Sequence, residues 1–177
     1  MAVKHGITSI SHERIVMGPG AVYINDTLLG ATKGGNTLEI NRTFRDIRPD
    51  GAKGMVKGYR RLESVEAILT VKLLELTPQN IYYALAGSAK TSTVISGGEI
   101  DNTSYFTEVE LVAEYTGATV GEALSVEIAL ANCLVEGPFT MNLPETGETV
   151  VEMKFHAHYS PAAMTTEPWT ITFTHVT

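Results

Sequence analysis

Ser104-Tyr-Phe-Thr-Glu-Val-Glu-Leu-Val-Ala-Glu-Tyr115 is the stretch that decides the fold. Tyr105, Thr107, Val109, Leu111, Ala113 and Tyr115 fall on one side of an extended chain, and Glu108, Glu110 and Glu114 on the other. Alternation at period 2 marks a strand with one buried and one wet face. The same period recurs on both sides of it. Val65, Ala67, Leu69, Val71 and Leu73 alternate with Glu66, Ile68, Thr70, Lys72 and Leu74, an apolar face backed by a mixed one. Val151, Met153 and Phe155 alternate with Glu152, Lys154, His156 and His158, and Trp169, Ile171 and Phe173 alternate with threonines. Shorter strands are expected over residues 21–25, 38–44 and 92–95, with turns at Gly18-Pro-Gly20, Gly34-Gly35, Asp50-Gly51, Gly97-Gly98 and Glu136-Gly-Pro138. Residues 124–135 carry two patterns: Leu124, Ile128, Ala131 and Val135 fit a helical face, whereas Val126, Ile128 and Leu130 alternate. The strands around this segment favour a strand.

One helix is expected. Thr77 suits its N-cap, Pro78 its first position, and Gly87 a stop after Ile81-Tyr-Tyr-Ala-Leu-Ala86. The class is therefore mainly β, with one short α-helix and a long extended loop or hairpin arm. At 177 residues, with no tandem repeat or linker, a single domain over residues 1–177 is expected. Hydrophobic residues at 44%, charged residues at 19% and a mean hydropathy of +0.05 exclude a wholly disordered chain.

The net charge of −7 is unevenly spread. Residues 42–61 hold seven of the 13 Lys and Arg (Arg42, Arg45, Arg48, Lys53, Lys57, Arg60, Arg61) and two of the 20 acids, a formal +5 that leaves −12 for the remainder. Pro49, Gly51, Gly54 and Gly58 lie within this basic excursion, and strands flank it. Phe44 and Tyr59 among its cations suit nucleic-acid tracking, but the acidic remainder would repel a polyanion. A cationic arm that meets the acidic surface of another copy is the favoured reading, ahead of a solvated loop and of nucleic-acid binding. Such a head-to-tail contact is heterologous, and it closes into rings or propagates into filaments.

Catalytic and ligand motifs find no support. Gly30-Ala-Thr-Lys-Gly-Gly-Asn-Thr37 lacks the lysine that a phosphate loop needs after its last glycine, and a strand follows it instead of a helix. A glycine-rich hairpin turn accounts for it better. His156, His158 and Glu152 share a strand face without a third well-spaced partner, so no metal or cofactor is expected. His5, His12 and His175 add nothing to that set. The lone Cys133 sits in an apolar run and reads as a buried, inert thiol. No secretion signal, membrane span or lipid-binding stretch is evident, which suggests synthesis in the cytoplasm.

Taken in order, several stretches together resemble the major tail tube proteins of long-tailed bacteriophages and, more loosely, the inner-tube proteins of contractile tails. They are Gly18-Pro-Gly-Ala-Val-Tyr-Ile-Asn25, Leu29-Gly-Ala-Thr-Lys-Gly-Gly-Asn-Thr-Leu-Glu-Ile40, the arm at 42–61, the strand at 63–74, the helix at 77–86 and Trp169-Thr-Ile-Thr-Phe173. The resemblance implies a β-sandwich or split β-barrel of antiparallel strands with one short flanking α-helix, in a non-enzymatic virion protein, made in the host cytoplasm, whose hexameric rings stack into a tube that conducts DNA during ejection. It implies that the arm reaches a neighbouring subunit or ring. Its further partners would be the tape measure, tail tip and terminator, with DNA passing the lumen without specific binding. Family members line the pore with acids, for which Glu39, Glu66, Glu108, Glu110 and Glu152 are the candidates here. The alternative is a β-sandwich binding module, for carbohydrate, with Trp169, Tyr82 and Tyr83 as stacking platforms.

Overall fold

The computed structural model describes residues 15, 16, 18, 20–114 and 125–174. The expectations at Pro19, Tyr115, Leu124, His5, His12 and His175 lie outside the described residues. The elements are β1 (Ala21–Ile24), β2 (Thr27–Leu28), β3 (Thr37–Asp46), β4 (Arg60–Leu73), α1 (Pro78–Ala84), β5 (Ala89–Thr91), β6 (Val94–Ser96), β7 (Phe106–Glu114), β8 (Ser125–Val135), β9 (Val151–Ala157) and β10 (Trp169–Thr174). Eight strands form one antiparallel sheet in the order β2-β1-β7-β8-β9-β4-β3, with β10 added to β8, while β5 and β6 make a separate hairpin.

The deciding stretch is a strand as expected. Val109 and Leu111 of β7 are buried, and Glu108 and Glu114 on the opposite side are exposed. Val22 and Ile24 of β1 and Leu69, Val71 and Leu73 of β4 belong to the same core, although four strand pairings separate the two strands. The sheet must therefore fold back on itself, with one core between its two halves in the manner of a sandwich. Val151, Met153 and Phe155 of β9 complete that core, each fully buried. Burying an aliphatic or aromatic side chain of this size stabilises by about 1.5–3 kcal/mol. Among the described residues no ladder joins β2 to β3, so the barrel stays open.

β8 shows why its sequence carried two periods. Its first part pairs with β10 through Leu130↔Trp169, and its last part with β9 through Cys133↔Ala157. Asn132 stands between them with φ +50°, a left-handed conformation that asparagine tolerates better than most residues. Its side-chain amide donates to the His158 carbonyl at 3.2 Å. Ile128 and Leu130 pack on the core before this kink, Cys133 and Val135 after it. The apolar positions thus jump from even to odd numbers.

Thr77 caps α1 by accepting from the Asn80 amide at 3.1 Å, and Pro78 takes the first position. The helix is shorter than expected: Leu85 is its C-cap, and Gly87, at φ +70°, turns the chain after it. A Cβ on Gly87 would lie 2.8 Å from the Ile100 side chain. Three further expectations are corrected. Residues 30–36 are not a hairpin turn, since Ala31 and Lys33 bond the end of β4 and its continuation, at Leu74 and Lys72. Ser92, expected in a strand, lies in the β5–β6 turn with φ +56°. Ser104 closes a single 3-10 turn ahead of β7.

Candidate interaction surfaces

The basic excursion is a hairpin. β3 and β4 pair from Thr37↔Thr70 out to Asp46↔Arg60, whereas β9 accompanies β4 only from Ile68 to Leu73. Beyond Ile68 the two strands run on as a ribbon. A bulge lies in its path, because Thr43 pairs with Ser64 but Phe44 with Leu62, which leaves Glu63 unpaired. Strict alternation would set Glu63 and Arg61 on the face of Val65; the bulge sets Leu62 and Arg60 there, opposite Phe44 and Asp46. The apolar face of the sheet thereby continues along the arm.

Seven cations were expected to act together, and the structure divides them. Arg42 is tied to the body: its guanidinium meets the Glu167 carboxylate at 2.8 Å and lies over the Trp169 ring. Arg60 pairs with Asp46 at 3.2 Å and covers Phe44, and Arg61 donates to the Gly58 carbonyl. Arg45, Arg48, Lys53 and Lys57 make no ion pair among the described residues and remain available to a partner. The charge reading missed the apolar content of the arm. Phe44, Ile47, Met55, Val56, Tyr59 and Leu62 are all exposed, Met55 at 70%. Exposed apolar groups this dense are a sign of a contact surface. Ile47, Met55, Val56 and Leu62 were visible in the sequence but were overshadowed by the charges.

The five candidate acids fall on two different outer faces. Cross-strand register places Tyr23, Glu110, Ala129 and Thr170 in one row, Val112, Glu127 and Thr172 in the next, and Glu108 opposite Ala131. This face, built from β1, β7, β8 and β10, carries Glu108, Glu110 and Glu127 among threonines, alanines, Tyr23 and Val112, with Asp26 at its rim. None of the four acids has a cationic partner among the described residues. Partial burial, then the charges of Glu108, Glu127 and Asp26, raise the Glu110 carboxyl above its ordinary pKa. Glu39, Glu66 and Glu152 lie instead on the face of β3, β4 and β9, in rows with Lys72, Lys154 and His156. Glu152 meets Lys154 at 3.6 Å and Glu66 meets His156 at 3.4 Å.

The remaining candidates are absorbed by packing. Cys133 is fully buried with its thiol pushed up to about 12 by burial, and it donates to the Leu130 carbonyl. Tyr83 packs edge-on to Phe106, itself against Phe155, and the Trp169 indole donates to Glu167 at 2.7 Å. Tyr83 and Trp169 are thereby engaged, and Tyr82 lies half-buried beside Tyr83, their ring centroids 5.9 Å apart. Among the described residues no group of three or more His, Cys, Asp or Glu side chains is arranged to hold a metal ion.

The molecule thus belongs to the class of mainly antiparallel β proteins in which a hairpin arm projects from a folded-over sheet. Among solved structures, the cryo-EM structure of the anti-feeding prophage cap, a tube-terminating cap, has a similar fold. The TM-score is 0.52 at 14% identity, with 98% of this chain and 95% of that chain covered. No protein-family model and no curated protein sequence matches the chain.

Proposed function

We propose that the chain is a non-enzymatic structural subunit of a phage-type tail, which assembles with copies of itself into stacked, hexameric rings around a lumen. The observation that carries this reading is the arm, whose unpaired cations and exposed apolar side chains stand clear of the body while the acids stay behind on the sheet. The arm's apolar side chains cost free energy while they face water, and its cations steer it toward an acidic copy. The likeness of fold to a tube-terminating cap supports a place in a tail. It also favours a second reading, in which the chain closes the end of a tube instead of building its length.

In either case the face of β1, β7, β8 and β10 is the better lumen wall. Its acids are unpaired and it carries no cation in the rows given above, so it would repel DNA phosphates and offer no positive charge for them to grip. The face that carries Glu39, Glu66 and Glu152 is nearly balanced in charge, and it suits contact with neighbouring protein. The partners proposed are further copies, the tape measure, the tail tip and the terminator, with DNA in transit, and the site is the tail of the virion. Reversing Arg45, Arg48 and Lys53 to glutamate tests the reading. Sedimentation of the concentrated protein should show loss of large assemblies with the monomer still folded, and unchanged assembly would remove the role given to the arm.

A further inference from the structure

The arm carries at its tip Lys53-Gly-Met-Val-Lys57, an exposed apolar pair bracketed by two lysines that make no ion pair among the described residues. A surface of opposite character lies at the other end of the molecule. Leu85 and Ala86 after α1, Ile100, Val135 at the end of β8 and Phe139 beyond it line an open groove of about 390 Å³. Ile100, a large aliphatic side chain, is left 58% exposed there. Among the described residues that line the groove, Glu136 is charged and none is a lysine or arginine.

Acids also flank the exposed isoleucine. Glu99 and Asp101 stand on either side of Ile100 in the chain, both exposed, and neither makes an ion pair among the described residues. Hydrogen bonds, first from the Thr103 hydroxyl and amide and then from Ser104, hold the Asp101 carboxyl below its ordinary pKa, so it stays ionised. Glu136 joins them from the end of β8, 3.3 Å from the His158 Nε2. An apolar floor edged by acids is the counterpart of an apolar pair edged by lysines.

We propose that this groove receives the arm tip of a second copy, with Met55 and Val56 on the apolar floor and Lys53 and Lys57 against Glu99 and Asp101. The tip is not the chain's own. Val135 pairs with Phe155 and Phe155 with Leu69, so the groove stands level with that part of β4, and the chain after Val135 runs on beside Lys154 toward the α1 end. The arm leaves in the other direction, and the run of β4 from Leu69 to Arg60 alone spans about 30 Å at the rise of a strand. With tip and groove at opposite ends, the contact is head-to-tail along β4, and such a contact passes from copy to copy without closing a pair. Covering apolar groups on both sides supplies affinity, and the opposed charges fix how the tip enters. The inference rests on the role proposed for the arm above and names the surface that receives it.

A carbodiimide joins lysines to carboxylates in contact, so cross-linking an assembled mixture of unlabelled and isotope-labelled chains, read by mass spectrometry, tests the contact. Peptides of mixed label that join Lys53 or Lys57 to Glu99 or Asp101 are expected. Links within single chains only, or links from the tip to Glu63 at the arm's root or to Glu108 and Glu110 in their place, would overturn the groove without touching the tail-subunit reading, because the assemblies are present. Ile100→Lys should raise the concentration at which large assemblies sediment about ten-fold or more, the effect of losing one interface anchor, and leave the thermal midpoint of the monomer unmoved. Lys57→Glu and Glu99→Lys should each weaken assembly, and the two together should restore it. Assembly unchanged in Ile100→Lys, or no recovery in the double variant, counts against the groove. A chain that forms no assembly at any concentration fails the tail-subunit reading and this inference with it. The cross-links need no variant, so a variant that fails to fold leaves that test in place.

Discussion

The arm and the β1-β7-β8-β10 face belong to the same sheet, yet they leave opposite things exposed. The arm shows apolar side chains and unpaired cations on a ribbon with no core behind it, and the face shows unpaired acids among threonines, alanines, Tyr23 and Val112 over a packed core. A surface of the first kind is stabilised by being covered, and one of the second kind by staying wet. In the tail subunit proposed above, the first surface would join copies and the second would keep a polyanion at a distance.

The sharpest way to break this comparison is to reverse charge on one side at a time. Arg45→Glu with Arg48→Glu and Lys53→Glu should abolish assembly outright and leave the thermal midpoint of the monomer almost unmoved. Glu108→Lys with Glu110→Lys should do the opposite, sparing assembly and impairing DNA delivery in an infection assay. The same reversal at Glu39 should leave delivery intact. A core truncation shows where stability resides. Phe155→Ala should cost about 3–5 kcal/mol in denaturant unfolding, whereas Phe44→Ala on the arm should stay within about 1 kcal/mol.

Smaller effects sharpen the account. Asn132→Val should cost about 1–3 kcal/mol, since a β-branched residue resists the left-handed conformation, and Asn132→Gly should be tolerated. Glu110→Gln should give a slight gain at neutral pH. Its carboxyl is raised in the folded state, so ionisation there opposes folding once pH exceeds the ordinary carboxylate value. The gain should shrink to nothing as pH falls below that value, and pH-dependent unfolding checks it.

Alternation made β4 and β9 legible, because each keeps one parity along its buried length, whereas β7 packs Phe106 on the core before switching to Val109 and Leu111, and Ile171 and Phe173 of β10 are exposed. It failed in β8, where the Asn132 kink shifts the buried positions from Ile128 and Leu130 to Cys133 and Val135. That jump of three imitates a helical step, so the two patterns read in the sequence had one cause. The arm was legible from its charge, but Arg42, Arg60 and Arg61 were not separable from the free cations. Their partners Glu167, Asp46 and the Gly58 carbonyl are set by register and by the bulge at Glu63. The acids were visible one by one. Their division between two faces depends on which strands become neighbours, and Glu108 and Glu127 meet Glu110 only through the β7–β8 pairing. The histidines were paired with Glu152 in sequence, whereas Glu66 and Glu136 reach them from elsewhere in the chain.

Electron microscopy of the concentrated protein, at a resolution that orients the subunit, tests the central claim most directly. The account predicts rings or tubes of uniform width, with the arm against a neighbouring copy and Glu108 and Glu110 turned to the axis. A monomer at every concentration and salt, or an assembly with those two glutamates buried between copies or facing outward, would contradict it.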